Sequence, residues 1–506
     1  MTAIPILKAT SREEVGKPRL KRSMGLWMAT ALVVGNMVGS GIFTLPAVLA
    51  GEAGPASILS LVFTGIGAML LALVFANLGR AHPRTGGPYY FARRAFGDFV
   101  GFQTAWAYWI AAWVGNAAIA VAFAGYLGVF WGDVKTTNWL AALVAVGAIW
   151  LFTLVNILGA RETGVAQVLT TVLKFVPLAV IGIVGLFYIK GGNFTPFTPA
   201  KGGFDWHINA AATLALWAFI GLESATVPAE EVKDPEKTIP RATILGTLAT
   251  TVLYVVALVA IVGVLSQAAL SGSTAPFADA ANAIFGGTLL GLTWGKWIAL
   301  VAMAATLGAL NGWIMLTARV SLAAADDDLF PKRFARVHGE RRTPVFGLLV
   351  SSVLVSGLVL YNWNADFGSR FTDVVLLATW MTLIAYAYAA AAEVVLFVRE
   401  RELFSWAKLA RDTVIASLAF AYSVWAIWGS GQEWLAKGFM LLLFGIPVFV
   451  WMKWRQQREQ AAAGPRIDPD KAILRRAYTP PLKPPVAAPR EPAVAGNQSY
   501  DLVGCD

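Results

Sequence analysis

The side chains that carry most protein chemistry are scarce here, and the polar residues that remain stand in unusual places. Histidine occurs only at His82, His207 and His338, too far apart to read as a triad or a metal set, and the single cysteine is Cys505. One thiol excludes a disulfide framework and a Cys-ligated metal cluster. No nucleophile–base pair stands in the apolar stretches, so neither enzymatic chemistry nor a cofactor or metal is expected. What stands out instead is polarity inside apolar runs. Gly35-Asn36-Met37-Val38-Gly39-Ser40-Gly41 interrupts one run, Gly221-Leu222-Glu223-Ser224 interrupts another, and Lys174 sits near the middle of a third. Glycines at mid-run disfavour continuous helix. A helix broken there exposes N–H groups and a positive half-helix end, both suited to a carboxylate. Gly35 and Gly39 equally fit a seam of small residues for close helix packing, and the residues alone leave both readings open. Glu223 is a costly intramembrane acid, by default a functional group; the alternative is a structural carboxylate paired with a neighbouring donor. Lys174 must find polar partners or lose its proton.

The elements that position these groups follow from composition. Of 506 residues, 57% are hydrophobic and 14% charged, against ~45–50% and ~25% in soluble domains; mean hydropathy is +0.62. A hydrocarbon core of ~30 Å needs about 20 apolar residues per helical crossing. That ruler gives an all-α integral membrane protein with twelve spans, near 24–50, 55–79, 98–131, 137–160, 164–189, 207–229, 241–266, 291–325, 343–361, 371–398, 410–429 and 433–454. Residues 1–23 form a basic segment with Lys8, Arg12, Lys17, Arg19, Lys21 and Arg22 and no apolar core, which is not a cleavable signal peptide. Loops after even-numbered spans are rich in Lys and Arg: Arg80, Arg84, Arg93 and Arg94, then Lys233 and Lys237, then Lys332, Arg333, Arg336, Arg341 and Arg342, then Arg399, Arg401 and Lys408. The opposite loops hold Lys135 after the third span and Lys190 and Lys201 after the fifth. This asymmetry places both termini in the cytoplasm of a multi-pass protein in the cell (inner) membrane. The net charge of +10 is then mostly a topology signal, and nucleic acid is not an expected partner. Residues 455–506 make a separate tail, in which 459–506 hold 8 of the 24 prolines and no apolar periodicity, the composition of a disordered segment.

The two interrupted runs are the first and the sixth, five spans apart. Paired interruptions at corresponding positions of two halves mark the binding site of inverted-repeat transporters. The residues at these positions also carry a family resemblance. Val34-Gly35-Asn36-Met37-Val38-Gly39-Ser40-Gly41-Ile42-Phe43 with Leu45-Pro46 resembles the first helix of the amino acid–polyamine–organocation superfamily. Arg84-Thr85-Gly86-Gly87-Pro88-Tyr89-Tyr90 resembles its loop after helix two, and Glu230 to Pro235 with Ile239-Pro240-Arg241-Ala242 the stretch after helix six. Leu307 to Thr317 with Trp313, then Ala324-Ala325-Asp326-Asp327-Asp328-Leu329-Phe330-Pro331, is most similar to the basic amino acid/polyamine antiporter family, arginine/agmatine antiporters in particular.

The resemblance, which covers residues 24–398, implies a LeuT-type arrangement of two inverted five-helix repeats, about 24–189 and 207–398, plus two C-terminal helices. It implies a site at mid-membrane. Ser40 with the backbone of Gly39 and Gly41 matches the turn that holds a substrate α-carboxylate, and carbonyls near Trp217 and Ile220 match those that hold its α-ammonium. Trp217 and Trp313 match aromatic residues that flank and gate the substrate, where a π-face suits a cation; the alternative for either is a membrane-interface belt. Asn116 and the carbonyls of Ala111 and Ala112 match the side-chain pocket. Asn36, Tyr108 and Tyr386 match polar lining and gate positions, with the belt again the alternative for the tyrosines. Glu223 matches an acid implicated in the response to protons.

Departures bear on the substrate. Ala378 stands where the arginine/agmatine antiporter has a serine, and Ile119 where it has a methionine. A missing hydroxyl leaves a guanidinium, with five donors, one acceptor fewer. Lys174 stands where that relative has a small apolar residue and other branches of the superfamily have a lysine. In this arrangement helix one faces helix five, so the helix-one break is its expected partner, either in proton coupling or as a fixed ammonium capping carbonyls. The expected work is exchange of a basic amino acid for its amine or another amino acid by alternating access. The alternatives are proton-coupled symport of neutral amino acids and a membrane sensor on a carrier fold. Expected partners are a small-molecule amino acid or amine and membrane lipid; a homodimer is compatible with this reading.

Overall fold

The computed structural model describes residues 22, 24–158, 163–198, 204–338, 343–361, 367–401 and 405–462. The basic residues of 1–21, with Arg161, Glu162, Lys201, Arg341, Arg342 and the proline-rich residues from 463 to Cys505, lie outside them. The apolar runs all become helices. The first becomes two, α1 (Leu26–Met37) and α2 (Ser40–Ala53), followed by α3 (Ser57–Ala81), α4 (Pro88–Phe96) and α5 (Asp98–Leu127). A short α6 (Gly132–Thr136) leads to α7 (Asn138–Leu158) and α8 (Thr163–Gly185). Then come α9 (Phe204–Leu216) and α10 (Pro235–Val264). Two short helices, α11 (Gln267–Ser271) and α12 (Pro276–Phe285), and a ribbon of β1 (Thr288–Leu289) and β2 (Leu292–Thr293) precede α13 (Trp294–Asp326). The last four are α14 (Val345–Tyr361), α15 (Phe367–Arg399), α16 (Trp406–Gly429) and α17 (Gln432–Ala462).

The protein is thus an all-α membrane protein. Among the described residues ten stretches are long and apolar enough to cross a bilayer, and the first of these, Leu26–Ala81, is 56 residues long and takes in α1, α2 and α3. Helix α14 is apolar but shorter. By internal contacts the chain divides into Met1–Met452 and Lys453–Asp506. In the second unit the described residues continue α17 to Ala462, beyond the expected end at 454, and Arg455 pairs with Glu459 at 3.0 Å.

Burial separates the helices that build a site from those that face lipid. Of the most apolar window of α5, 83% is buried inside the protein, against 28% for α7. Helix α5 is the central post, packed on α13 and α15, while α1 packs on α8 and α10. Leu151, Leu154 and Leu158 of α7 and Val172, Val176 and Ile183 of α8 stay exposed, as lipid allows.

Three expectations need correction. The stretch after helix two is not all loop: Pro88 takes the first position of α4 and Gly97, at φ 87°, ends it, a proline-in, glycine-out pattern that suits a short helix. The helix expected from 241 begins at Pro235 and carries Pro240 within it. The sixth run does not resume as a helix to 229. After Leu216 comes one tight turn, Trp217–Phe219, an extended Ile220, and Gly221 at φ 115°; only tight turns follow until Pro235.

Helix α4 is fastened at the end of the bundle where α5 begins and α13 and α15 finish. Arg93 reaches Asp98 Oδ1 at 3.0 Å and Asp327 Oδ2 at 2.9 Å; Arg94 reaches Glu400 at 2.9 Å, and His82 Nε2 lies 3.5 Å from the same carboxylate. Burial, then the Arg94 charge, hold the His82 imidazole below its ordinary pKa, with Glu400 opposing them. Tyr89 beside these groups is pushed above the usual phenol range, by burial first and then by Asp327.

Candidate functional site

The break in the first run is narrower than the glycine count suggests. Gly35 and Asn36 remain in α1, Ser40 and Gly41 already belong to α2, and only Val38 and Gly39 fall outside. Helix α2 starts without a side-chain cap, so its first N–H groups have no acceptor within the helix. At the other edge, Met37 O accepts from Tyr254 Oη at 2.7 Å and from Gly39 N at 2.9 Å.

The two interruptions lie against each other, and glycine makes that possible. A Cβ on Gly41 would stand 2.8 Å from Ala218 Cα, and one on Gly221 would stand 3.0 Å from Asn36 Cβ. Asn36 Nδ2 donates to Ser224 Oγ at 2.8 Å, and the Trp217 indole donates to Ser40 Oγ at 3.3 Å. The packing and site readings of the glycines are therefore not rivals: Gly41 packs on the sixth run and also borders the hollow described next.

Between the breaks and α5, α13 and α15 lies a hollow of about 430 Å³, part of it open to solvent. Asn36, Met37, Gly39, Ser40 and Gly41 form one wall, and Trp217 and Ile220 a second. Helix α5 contributes Tyr108, Ala111, Ala112, Gly115 and Ile119, α13 contributes Ala309 and Trp313, and α15 contributes Thr382. None of these side chains is ionised. Polar groups sit at the edges: α2's N-terminus, the Ser40 hydroxyl, the Thr382 hydroxyl, and Ile220 O, which accepts no hydrogen bond among the described residues. Such a lining, mostly apolar with a few convergent polar groups, suits a small organic ligand.

Trp217 and Trp313, 9% and 8% exposed, both line the hollow, so neither is a belt residue. Gly115 makes room for Trp217: a Cβ there would stand 2.8 Å from its Cη2. Tyr108 and Tyr386 are fully buried rather than interfacial. Both donate to Glu223, Tyr108 Oη to Oε1 at 2.5 Å and Tyr386 Oη to Oε2, while Gly221 N donates to Oε2 at 3.2 Å. Tyr108 lies on α5 toward Asp98, and Tyr386 on α15 one turn past Thr382 toward Arg399. The Glu223 cluster thus lies toward the end of the bundle that carries α4. Asn116 stands one turn past Ala112 but does not line the hollow. Its Nδ2 donates to Thr317 Oγ1 at 3.3 Å, while Oδ1 is buried with no partner among the described residues. Lys174, 2% exposed, also lies outside the lining; its Nζ donates to Gly35 O in α1 at 3.2 Å.

A profile of the amino acid permease family matches residues 24–455, the whole of this arrangement. The chain belongs to that family. This member is 32% identical over 427 residues to the putrescine transporter PotE of Escherichia coli (strain K12), covering 83% of this chain and 94% of that one. It is 30% identical over 441 residues to the arginine/ornithine antiporter of Pseudomonas aeruginosa (85% and 90% covered) and 33% identical over 378 residues to the cadaverine/lysine antiporter of Escherichia coli (strain K12) (73% and 82% covered). These relatives are named as transporters and antiporters of small amines and amino acids.

Sequence reasoning missed Met37, Ala309 and Thr382 as lining residues. Thr382 had a signal. It lies four residues after Ala378, hence on the same helix face, and its hydroxyl donates back to Ala378 O at 2.9 Å, leaving oxygen lone pairs for a ligand.

Proposed function

We propose that this permease-family chain exchanges a basic amino acid for its amine or another amino acid across the membrane by alternating access, as a carrier and not an enzyme. The observation that carries the reading is the pairing of two unlike backbone ends across one hollow. The N-terminus of α2 offers N–H groups to a carboxylate, and the unpaired Ile220 carbonyl offers itself to an ammonium. Ser40 adds a hydroxyl to the first end. Trp217 and Trp313 supply π-faces for a cationic side chain, and the unpaired Asn116 Oδ1 supplies an acceptor beside α13. The names of the relatives, which handle putrescine, arginine, ornithine, lysine and cadaverine, point to the same cargo.

On this reading Tyr108, Trp217 and Tyr386 are gates, and Glu223 with Lys174 couples transport to protons. The interruptions of the first and sixth runs are the matched breaks of two inverted repeats, and α16 and α17 are additions that complete twelve crossings. Both termini lie in the cytoplasm, with a basic segment before residue 24 and a proline-rich tail after α17. The Glu223 cluster and the α4 ion pairs then close the cytoplasmic path.

The small apolar lining of Ala111, Ala112, Ile119 and Ala309 favours a second reading, uptake of neutral amino acids with a proton. Purified protein in liposomes loaded with a panel of amino acids and amines separates the two. Exchange of labelled arginine, ornithine or lysine against internal amine is the expected result. Uptake of labelled neutral amino acids driven by a proton gradient, with no exchange of basic ones, would replace the first reading by the second; binding without flux would point to a sensor.

A further inference from the structure

A second buried acid sits well away from the hollow. Glu393 of α15 is 0% exposed, and so is Asp412 of α16. Glu393 Oε1 accepts from Asn77 Nδ2 of α3 at 2.9 Å. Asp412 Oδ1 accepts from Nε and Nη2 of its neighbour Arg411 at 2.9 and 2.8 Å. The other oxygen of each, Glu393 Oε2 and Asp412 Oδ2, is buried with no hydrogen-bond partner among the described residues. Three helices therefore meet over two carboxyl groups that each keep an unused oxygen. All three residues lie within two turns of a helix end, and the end of α15 is the one packed on α4.

Burial weighs most on Glu393, ahead of the Asn77 hydrogen bond and of the charges that α16 brings near it. Asp412 bears on it electrostatically, and so do Arg411 and Lys408 from the same helix, more weakly than Asp412. Arg411 is committed to Asp412 and is itself 62% exposed. Among the described residues the hydrogen-bond donor to Glu393 is a neutral amide. A buried carboxylate without a cation of its own costs several kcal/mol, and a second carboxylate nearby adds to that cost. An acid in such a place is stable when it holds a proton.

We propose that Glu393, held by Asn77 of α3, and the neighbouring Asp412 of α16 form a proton-binding site separate from the substrate hollow. The proton sits on Glu393, whose Oε2 is the buried oxygen with no partner among the described residues, while Asp412 keeps its pair with Arg411. Separation of the three helix ends admits water, and the proton leaves to it, giving carboxylate and hydronium. The site therefore couples the packing of α3 against α15 and α16 to acidity at the face that α4 covers.

Infrared difference spectra of the purified full chain between acid and alkaline buffer test this without any transport assay. The expected result is a carbonyl-stretch band of a protonated carboxylic acid that is lost in Glu393→Gln and kept in Glu223→Gln. Asp412→Asn should retain the band but shift it, since it removes the neighbouring charge; it also serves if Glu393→Gln fails to fold. In liposomes, the ratio of exchange rates between acid and alkaline pH should fall toward one in Glu393→Gln. A wild-type band that persists undiminished in Glu393→Gln, or that is neither shifted nor weakened in Asp412→Asn, overturns the proposal. So does a band that disappears on adding sodium or potassium at fixed pH, which would make the site one for a metal cation.

Discussion

Gly115→Ala isolates the gate from the rest of the site. The new Cβ would stand 2.8 Å from Trp217 Cη2 and 3.2 Å from Cζ3, where carbon atoms prefer ~3.5–4.0 Å. Helix α5 cannot retreat, because it is packed on α13 and α15 along its length. The indole must therefore move by roughly 0.7 Å or more. Its hydrogen bond to Ser40 Oγ is already long, at 3.3 Å, and does not survive that shift. Overpacking a buried site costs about 1–3 kcal/mol, or roughly 5- to 150-fold if all of it falls on binding. Gly147 of α7, where a Cβ meets nothing within 4 Å, is the control; Gly147→Ala should be neutral or raise stability by up to about 1 kcal/mol through helix propensity. Calorimetric titration of the detergent-purified variants with arginine, ornithine and neutral amino acids reads the outcome. Equal affinity of Gly115→Ala and wild type would mean that Trp217 does not flank the ligand. Weaker binding with an unchanged melting temperature would place the strain on the gate.

Further outcomes follow from the same geometry. Trp313→Leu should weaken cationic substrates more than neutral ones, by up to about 2 kcal/mol or roughly thirtyfold; equal loss for both classes would make Trp313 a packing residue. Glu223→Gln keeps one acceptor for the two tyrosines but cannot ionise, so exchange should persist while its dependence on pH flattens, and an unaltered pH–rate profile would reduce Glu223 to a structural contact. Lys174→Ala removes the donor to Gly35 O. If the lysine couples protons, accumulation driven by a proton gradient should vanish while counterflow of preloaded substrate survives. Joint loss of both with a lower melting temperature would mark a structural cap instead, and normal accumulation would remove Lys174 from coupling.

What was legible in the sequence was whatever the bilayer enforces locally. Every long apolar run became a helix because hydrocarbon leaves the backbone no other partner, and the breaks at Gly39 and Gly221 were visible as glycine and polarity where neither belongs. Helix α4 escaped a ruler made for apolar runs, since Arg93 and Arg94 face other helices' acids; Pro88 and Gly97 were the available signal. The contacts of Gly41 with Ala218 and of Gly115 with Trp217 join residues about a hundred or more apart, which no local pattern records. The contact of Lys174 with Gly35 O of α1 is legible only through the family resemblance, which sets helix five against helix one; the residues alone say only that a buried amine needs polar partners. Glu393 was overlooked although the reasoning applied to Glu223 covers it equally: an acid inside an apolar run needs a partner or a proton.

The hollow's lining has a consequence for energetics of another kind. With no ionised side chain along its walls, the charge of that compartment is whatever the cargo brings. A cationic amino acid exchanged for a doubly charged amine then moves one net charge per cycle when no proton accompanies them, two cargoes of equal charge move none, and each coupled proton adds one. One charge crossing a membrane held at about 100 mV gains or loses about 2.3 kcal/mol. The resting voltage would therefore set which way a mixture of these solutes flows, and a voltage clamp on a supported bilayer would give the stoichiometry of the swap as a current.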